Sequence, residues 1–105
     1  MKKILMLATG GTIATLKTEE GKVPQLTSRE LLRRVPGIQE ICQVETRQLF
    51  QLDSTNVHPE HWKTIARAIL EAYEDYDGFV ITHGTDTMAY TAAALSYMLP
   101  GARKP

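Results

Sequence analysis

Five side chains able to take part in nucleophilic or acid–base chemistry follow short apolar runs of the sequence: Thr12, Ser54, Thr55, Thr85 and Asp86. A hydroxyl both donates and accepts hydrogen bonds, and a threonine hydroxyl becomes a nucleophile when a base removes its proton. These residue types suit a small zwitterion with a carbonyl group that a hydroxyl attacks. In this interpretation Asp86 receives an α-ammonium group, and Ser54 with backbone amides receives a carboxylate.

Residues 78–87, GFVITHGTDT, carry two of these side chains and begin with a short apolar run of β-forming residues. The pattern predicts a buried strand, then a tight polar turn at Gly84, then a helix. Asp86 is predicted to be the N-cap of that helix. His83 is not predicted to be a base, because a side chain at that place in a strand points opposite to its neighbours. A capped turn in which the threonines only tie down backbone explains this segment equally well.

Three strands are predicted at residues 4–8, 43–50 and 79–82. Each is followed by a polar cluster, at residues 9–12, 53–56 and 83–87 respectively. The first is apolar at every position, which is typical of a central strand covered on both faces. Alternating strands and helices predict a parallel sheet, in which the carboxyl ends of the strands share one edge. We therefore expect the clusters that follow the three strands to converge on one crevice.

Three helices are predicted between and after these strands, at residues 28–35, 59–75 and 88–99. A capping box at residues 27–30 marks the start of the first helix. The second has apolar residues at helical spacing, with Trp62 as a packing anchor. In the third, Tyr90 and Tyr97 are expected to be partly buried. The polar residues 15–25 are predicted to form a surface loop long enough to be a flap over a site.

Composition limits the classes of function. The 105 residues contain 12 Lys+Arg and 12 Asp+Glu, which predicts one small domain with no electrostatic attraction for nucleic acid or an anionic membrane. No apolar run approaches the ~20 residues that span a bilayer. The single cysteine, Cys42, is expected to be a small core hydrophobe in a cytoplasmic protein. His58 and His61 lack a third ligand at a recognisable spacing, so no metal site is predicted.

The segments TGGTIA at residues 9–14 and GFVITHGTDT at residues 78–87 resemble the two signature segments of the bacterial-type L-asparaginase/glutaminase family. DSTN at residues 53–56, followed by Trp62, resembles the cytoplasmic type I members. The resemblance covers the whole chain. It implies a three-layer α/β fold with a mostly parallel, flavodoxin- or Rossmann-like sheet. The implied reaction is hydrolysis of the side-chain amide of L-asparagine to L-aspartate and ammonia, without metal or organic cofactor.

The resemblance also implies residue roles. Thr12 matches the nucleophilic threonine of the family and Thr85 its second catalytic threonine, while Asp86 matches the carboxylate that binds the substrate ammonium. Ser54 and Thr55 match residues that hold the α-groups of the substrate. The implied mechanism is acyl transfer, in which Thr12 attacks the amide, ammonia leaves and water on Thr85 resolves the acyl-enzyme.

The chain departs from the family pattern in two ways. Residues 15–25 contain no tyrosine, although many members use a tyrosine there to assist the nucleophile. Family members are much longer homo-oligomers, dimers or tetramers, and their catalytic lysine lies beyond position 105. Residues 1–105 are therefore expected to be an amino-terminal part of the asparaginase domain, lacking the carboxyl-terminal domain and most catalytic activity. An uncovered edge of the third strand is expected to favour self-association.

Two other functions remain open at this point. The same motifs resemble the asparaginase-like subunit of archaeal-type glutamyl-tRNA(Gln) amidotransferases, in which an extra amino-terminal tRNA-related domain is expected. The chain is also compatible with a non-catalytic module that binds asparagine through Ser54, Thr55 and Asp86.

Overall fold

A computed structural model describes residues 1–11 and 27–105 of the chain. The strands and α-helices in chain order are β1 (Lys3–Ala8), α1 (Ser28–Arg33), α2 (Ile38–Ile41), β2 (Gln43–Gln48), α3 (Pro59–Ala72), β3 (Gly78–Thr82) and α4 (Met88–Met98). Two short 3₁₀ helices, Ser54–Asn56 and Tyr73–Asp75, lie before and after α3. The predicted flap at residues 15–25 lies outside the described residues.

The described strands form a parallel sheet in the order β2-β1-β3, so β1 is central as predicted. In β1, Lys3 is opposite Gln43 of β2 and Ile4 is opposite Gly78 of β3. The carboxyl ends of all three strands therefore lie at the same edge of the sheet. Beyond this sheet, the backbone amide of Phe79 donates to the carbonyl of Pro105 at 2.9 Å, on the outer side of β3.

The main core lies between one face of the sheet and the long helix α3. Leu5 and Leu7 of β1 are almost completely buried against Ile65 and Ile69 of α3. Removing such side chains from water is the largest favourable contribution to folding. The alternate residues of β1, Ile4 and Met6, face the other way. They line an apolar groove together with residues of α1 and α2. The sheet thus lies between two helical layers, which confirms the three-layer α/β prediction.

The helix starts and ends follow local sequence signals, with some differences. Half of the predicted capping box is present: the amide of Glu30 donates to the hydroxyl of Thr27 at 3.3 Å, while the Glu30 carboxylate accepts from that hydroxyl rather than from the Thr27 amide. The second predicted strand ends at Gln48 rather than at residue 50. The last residues of the predicted helix 59–75 form a 3₁₀ turn. The short helix α2 was not predicted, because four residues are too few to show a helical period.

The prediction of partly buried tyrosines in α4 is wrong. Tyr90 is 68% exposed and Tyr97 is 85% exposed, because α4 packs on the core through Leu95 and Leu99. The tyrosines therefore lie on the opposite side of the helix. Helix α4 is apolar around most of its circumference, so its sequence does not indicate which face is buried. Cys42, expected in the core, is half-buried and lines the apolar groove.

A polar cluster joins the amino ends of the three strands, at the edge opposite the candidate site. The hydroxyl of Tyr76 donates to the Glu45 carboxylate, which also lies 3.2 Å from the Lys3 ammonium. The hydrogen bond from Tyr76, followed by that from Lys3, lowers the pKa of Glu45. A carboxylate with a lowered pKa stabilises the fold above its unfolded-state pKa, and this contribution is lost as pH falls through the folded-state pKa.

We predict that Tyr76→Phe lowers the thermal unfolding midpoint at neutral pH by removing this hydrogen bond. The difference from wild type should shrink at acid pH, where Glu45 is protonated in both the folded and unfolded states. Tyr97→Phe is the matched control, because Tyr97 is highly exposed. Circular dichroism melting curves at both pH values measure the effect. An equal deficit at both pH values would contradict the assigned role of Glu45.

Candidate active site

Three loops, one after each strand, pack closely together at Gly11, Ser54 and Gly84. A Cβ added to Gly84 would lie 2.7 Å from Ser54 Oγ, and one added to Gly11 would lie 2.5 Å from Gly84 Cα. These distances are too short for a real Cβ, so the two glycines permit the contact between backbones. The predicted convergence of the three loops is confirmed at Gly11, Ser54 and Gly84, one residue from each loop.

Ser54 joins the second loop to the third. Its Oγ accepts a hydrogen bond from the Asp86 amide at 3.1 Å, and its carbonyl accepts one from the Thr87 hydroxyl at 2.7 Å. The residue is only 2% exposed. A hydroxyl carries one hydrogen and two lone pairs, so Ser54 Oγ can accept from Asp86 and still donate to a ligand oxygen. Ser54 thus fixes the position of Asp86 as well as being a candidate ligand-binding residue.

Thr55 lies at the surface next to Ser54 and is bonded to a carboxylate. Its amide and its hydroxyl each donate to Asp53 Oδ1 at 3.0 Å. The amide of Thr55 first, and then its hydroxyl, lower the pKa of Asp53 because they stabilise the charged carboxylate. The loop after β2 is therefore pre-formed by local bonds, and the Thr55 hydroxyl is already used in the structure.

We predict that Thr55→Val raises the pKa of Asp53 towards its ordinary value, because the valine keeps the amide donor but lacks the hydroxyl. A carboxyl ¹³C NMR titration measures this pKa directly. Thr64→Val is the control, since the Thr64 hydroxyl donates to the carbonyl of Glu60 and not to a carboxylate. An unchanged Asp53 titration in Thr55→Val would show that the hydroxyl does not stabilise this carboxylate.

Thr85 and Asp86 are exposed in the loop after β3. The prediction that Asp86 caps α4 is wrong: the N-cap is Thr87, whose carbonyl accepts from the amides of Tyr90 and Thr91. Helix α4 begins at Met88, as predicted, so the residue directly before it is Thr87 rather than Asp86. The Thr87 hydroxyl donates to the second loop rather than to the helix. The Asp86 carboxylate is thus not used as a cap.

The three histidines of the chain have identifiable partners. His83 contacts Thr91 of α4 through Nε2 at 2.9 Å and the carbonyl of Gly84 through Nδ1 at 2.6 Å, so its ring lies against α4. At the start of α3, the His58 amide donates to His61 Nδ1 at 3.1 Å. Burial, and then the nearby His58, lower the pKa of His61. His58 and His61 therefore have a local role in starting α3.

Sequence reasoning missed the contact of Trp62 with the polar interior beside the site. The Trp62 indole donates to the hydroxyl of Thr91 at 2.9 Å, whereas the sequence pattern indicated apolar packing alone. Thr91, a polar residue within an alanine-rich helix, was the available signal. The predicted nucleophile, Thr12, lies outside the described residues. Its sequence neighbour Gly11 packs against Gly84, the residue before Thr85.

Comparison with known proteins gives a consistent result. Residues 3–105 match the family described as "Asparaginase, N-terminal". The chain is 52% identical over 99 residues to an L-asparaginase from Thermococcus kodakarensis, covering 92% of this chain and 30% of the relative. It is 44% identical over 98 residues to a glutamyl-tRNA(Gln) amidotransferase subunit from Archaeoglobus fulgidus, covering 91% of this chain and 23% of that protein.

Solved structures of L-asparaginases share the fold. The thermostable L-asparaginase of T. kodakarensis superposes with a TM-score of 0.80 over 90% of this chain and 29% of its own. A probable cytoplasmic L-asparaginase from Campylobacter jejuni, 35% identical, also gives 0.80, over 90% of this chain and 28% of its own. The chain thus spans less than a third of the length of these relatives.

Proposed function

The chain belongs to the asparaginase family through the amino-terminal domain of that family, and we propose that residues 1–105 carry part of the active site of an L-asparaginase. The observation that supports this most strongly is the meeting of three loops at Gly11, Ser54 and Gly84. This meeting brings the buried Ser54 hydroxyl, the exposed Thr85 hydroxyl and the exposed Asp86 carboxylate to the same edge of the sheet.

In the proposed site the exposed Asp86 carboxylate binds the α-ammonium group of L-asparagine. Ser54 donates to the α-carboxylate, and Thr55 contributes to the same subsite. The Ser54–Asp86 hydrogen bond supports these roles, because it sets the separation between the group that recognises the ammonium and the group that recognises the carboxylate. A site that recognises both charges of an amino acid distinguishes it from amides that lack them.

The proposed reaction is acyl transfer. The Thr12 hydroxyl attacks the carbonyl carbon of the side-chain amide and forms an ester. The carbon–nitrogen bond breaks, and the nitrogen leaves as ammonia with the proton that the hydroxyl has lost. Water assisted by Thr85 then attacks the ester, which releases L-aspartate and restores the Thr12 hydroxyl. Backbone amides at the loop junction stabilise the oxyanion. The lysine that the family pairs with Thr85 is not among these residues, so we expect the 105-residue chain to bind its ligand without turnover.

Calorimetric titration with L-asparagine and with L-aspartate tests the binding role. We expect Asp86→Asn to weaken binding of both by at least about tenfold, because a charge-assisted contact to the ammonium is lost. Asp75→Asn is the matched control, since Asp75 lies in the 3₁₀ turn that precedes β3, away from the site edge. Equal affinity of the wild type and Asp86→Asn would contradict the assigned role of Asp86.

An ammonia-release assay with L-asparagine tests the catalytic part of the proposal. We expect no steady release above background from the 105-residue chain. Steady release that is abolished in Thr12→Ala would show that these residues suffice for turnover and would overturn the expected inactivity. L-Glutamine in the calorimetric titration gives the binding preference between the two amides.

A second candidate function, that of an amidotransferase component, is favoured by the 44% identity to the A. fulgidus amidotransferase protein. The equal numbers of basic and acidic residues weigh against nucleic-acid contact by this part of the chain. A gel-shift titration with tRNA(Gln) separates the candidates. Salt-sensitive binding at micromolar concentrations would favour the amidotransferase function over the asparaginase function.

We also propose a cytoplasmic location and a homo-oligomeric parent protein. The C. jejuni neighbour is described as a probable cytoplasmic enzyme. Within residues 1–11 and 27–105, no helix combines the length and apolarity needed to cross a membrane. Analytical ultracentrifugation measures the oligomeric state.

A further inference from the structure

A chain of hydrogen bonds joins α3 to the loop that carries Thr85 and Asp86. The Trp62 indole donates to Thr91 Oγ1 at 2.9 Å, Thr91 Oγ1 lies 2.9 Å from His83 Nε2, and His83 Nδ1 lies 2.6 Å from the Gly84 carbonyl oxygen. Thr91 is 3% exposed, so water does not easily replace these partners. This series of hydrogen bonds connects α3 and α4 to the candidate site through the imidazole of His83.

Counting hydrogens fixes the direction of two of these three hydrogen bonds. The Gly84 carbonyl can only accept, so His83 Nδ1 must carry a hydrogen. The indole nitrogen of Trp62 can only donate, so Thr91 Oγ1 accepts from it. A hydroxyl has two lone pairs and one hydrogen, so Thr91 Oγ1 can either donate to His83 Nε2 or accept from it. His83 therefore carries a hydrogen on Nδ1.

The imidazole fixes the orientation of one peptide group. The described residues contain no cis peptide bond, and in a planar trans peptide the C=O and the N–H point in opposite directions. Because the Gly84 carbonyl is directed to the His83 ring, the Thr85 amide is directed away from that ring and from α4. Gly84 is also in close contact with Ser54 and Gly11, which opposes rotation of this peptide.

We propose that His83 is a positioning residue that holds the Gly84–Thr85 peptide so that the Thr85 amide donates to an oxygen of the bound substrate. This rests on the proposed amino-acid-binding function of the site. His83 itself does not contact the substrate. Thr91, which accepts from Trp62, keeps the imidazole in the required orientation.

NMR of the ¹⁵N-labelled chain tests the tautomer without any ligand or substitution. Long-range ¹H–¹⁵N correlation spectra distinguish protonated from unprotonated ring nitrogens. We expect the hydrogen of neutral His83 on Nδ1. A hydrogen on Nε2 in the neutral ring would overturn the proposal, because Nδ1 could then not donate to Gly84.

Two variants of His83 test positioning. His83→Phe keeps a ring without a donor, whereas the side-chain amide nitrogen of His83→Asn is separated from Cα by the same number of bonds as Nδ1. We expect His83→Phe to shift the Thr85 and Asp86 amide signals and to weaken L-aspartate binding about tenfold, or ~1.4 kcal/mol. His83→Asn should recover most of both effects. Unfolding midpoints of both variants identify any general loss of structure.

The outcomes separate this proposal from the proposed function. Unchanged Thr85 and Asp86 amide signals in His83→Phe, or failure of His83→Asn to recover them, would overturn the positioning role. If wild type does not bind L-aspartate while the tautomer and amide signals agree with expectation, the binding function is wrong. In that case the orientation of the Gly84–Thr85 peptide by His83 is still supported.

Discussion

Gly11→Ala is expected to destabilise the fold by roughly 3 kcal/mol, the sum of a backbone and a packing cost. The φ angle of Gly11 is +93°, which residues with a Cβ rarely adopt. The added Cβ would also lie 2.5 Å from both Cα and N of Gly84. Because the obstacle is backbone rather than a flexible side chain, the first and third loops must move apart. Denaturant unfolding followed by circular dichroism measures the loss.

Two other glycines separate the components of this effect. Gly101 has a φ of +74° but nothing within 4 Å of an added Cβ, so Gly101→Ala bears only the backbone cost. Gly37 has neither feature, and Gly37→Ala should change stability very little. We expect the order Gly11, Gly101, Gly37 from the largest loss to the smallest. Equal losses for Gly11→Ala and Gly101→Ala would contradict the close contact between the loops after β1 and β3.

Leu7→Ala is expected to cost about 2–5 kcal/mol, the range observed for leucine deletions in well-packed cores. Leu7 is 0% exposed in the central strand. The lost side chain would leave a cavity against α3, and neighbours on both sides of β1 limit how far the structure can close it. In a domain of this size, such a loss is a large part of the total stability.

Leu70→Ala is the matched control, because it makes the same chemical change in a side chain that is 61% exposed. It should cost well under half as much as Leu7→Ala. Chemical denaturation of both variants gives the comparison. A similar loss for the two leucines would show that the core between β1 and α3 is not packed as described.

The strands and long helices could be predicted because their signals are local. The unbroken apolar run of β1 predicted a central strand, and Pro59 marked the start of α3. The convergence of the loops followed from one topological rule, since parallel strands end at one edge. These features depend on residue types within a single element or on the order of elements.

The errors concern interactions between elements. Asp86 had a suitable side chain for a cap, but the N-cap of α4 is Thr87, whose hydroxyl donates to the carbonyl of Ser54, 33 residues away. Trp62 was expected to pack, and its donation to Thr91 depends on how α3 lies beside α4. No local pattern contains this information, because each partner belongs to a different element.

The central claim is that the loops after β1, β2 and β3 form one amino-acid-binding site. Amide chemical-shift mapping of the ¹⁵N-labelled chain with L-aspartate tests it most directly. We predict saturable shifts clustered at Gly11, Ser54, Thr85 and Asp86, with none at Lys3 on the opposite edge of the sheet. Saturable shifts confined to a single loop, or centred on the opposite edge, would contradict the account.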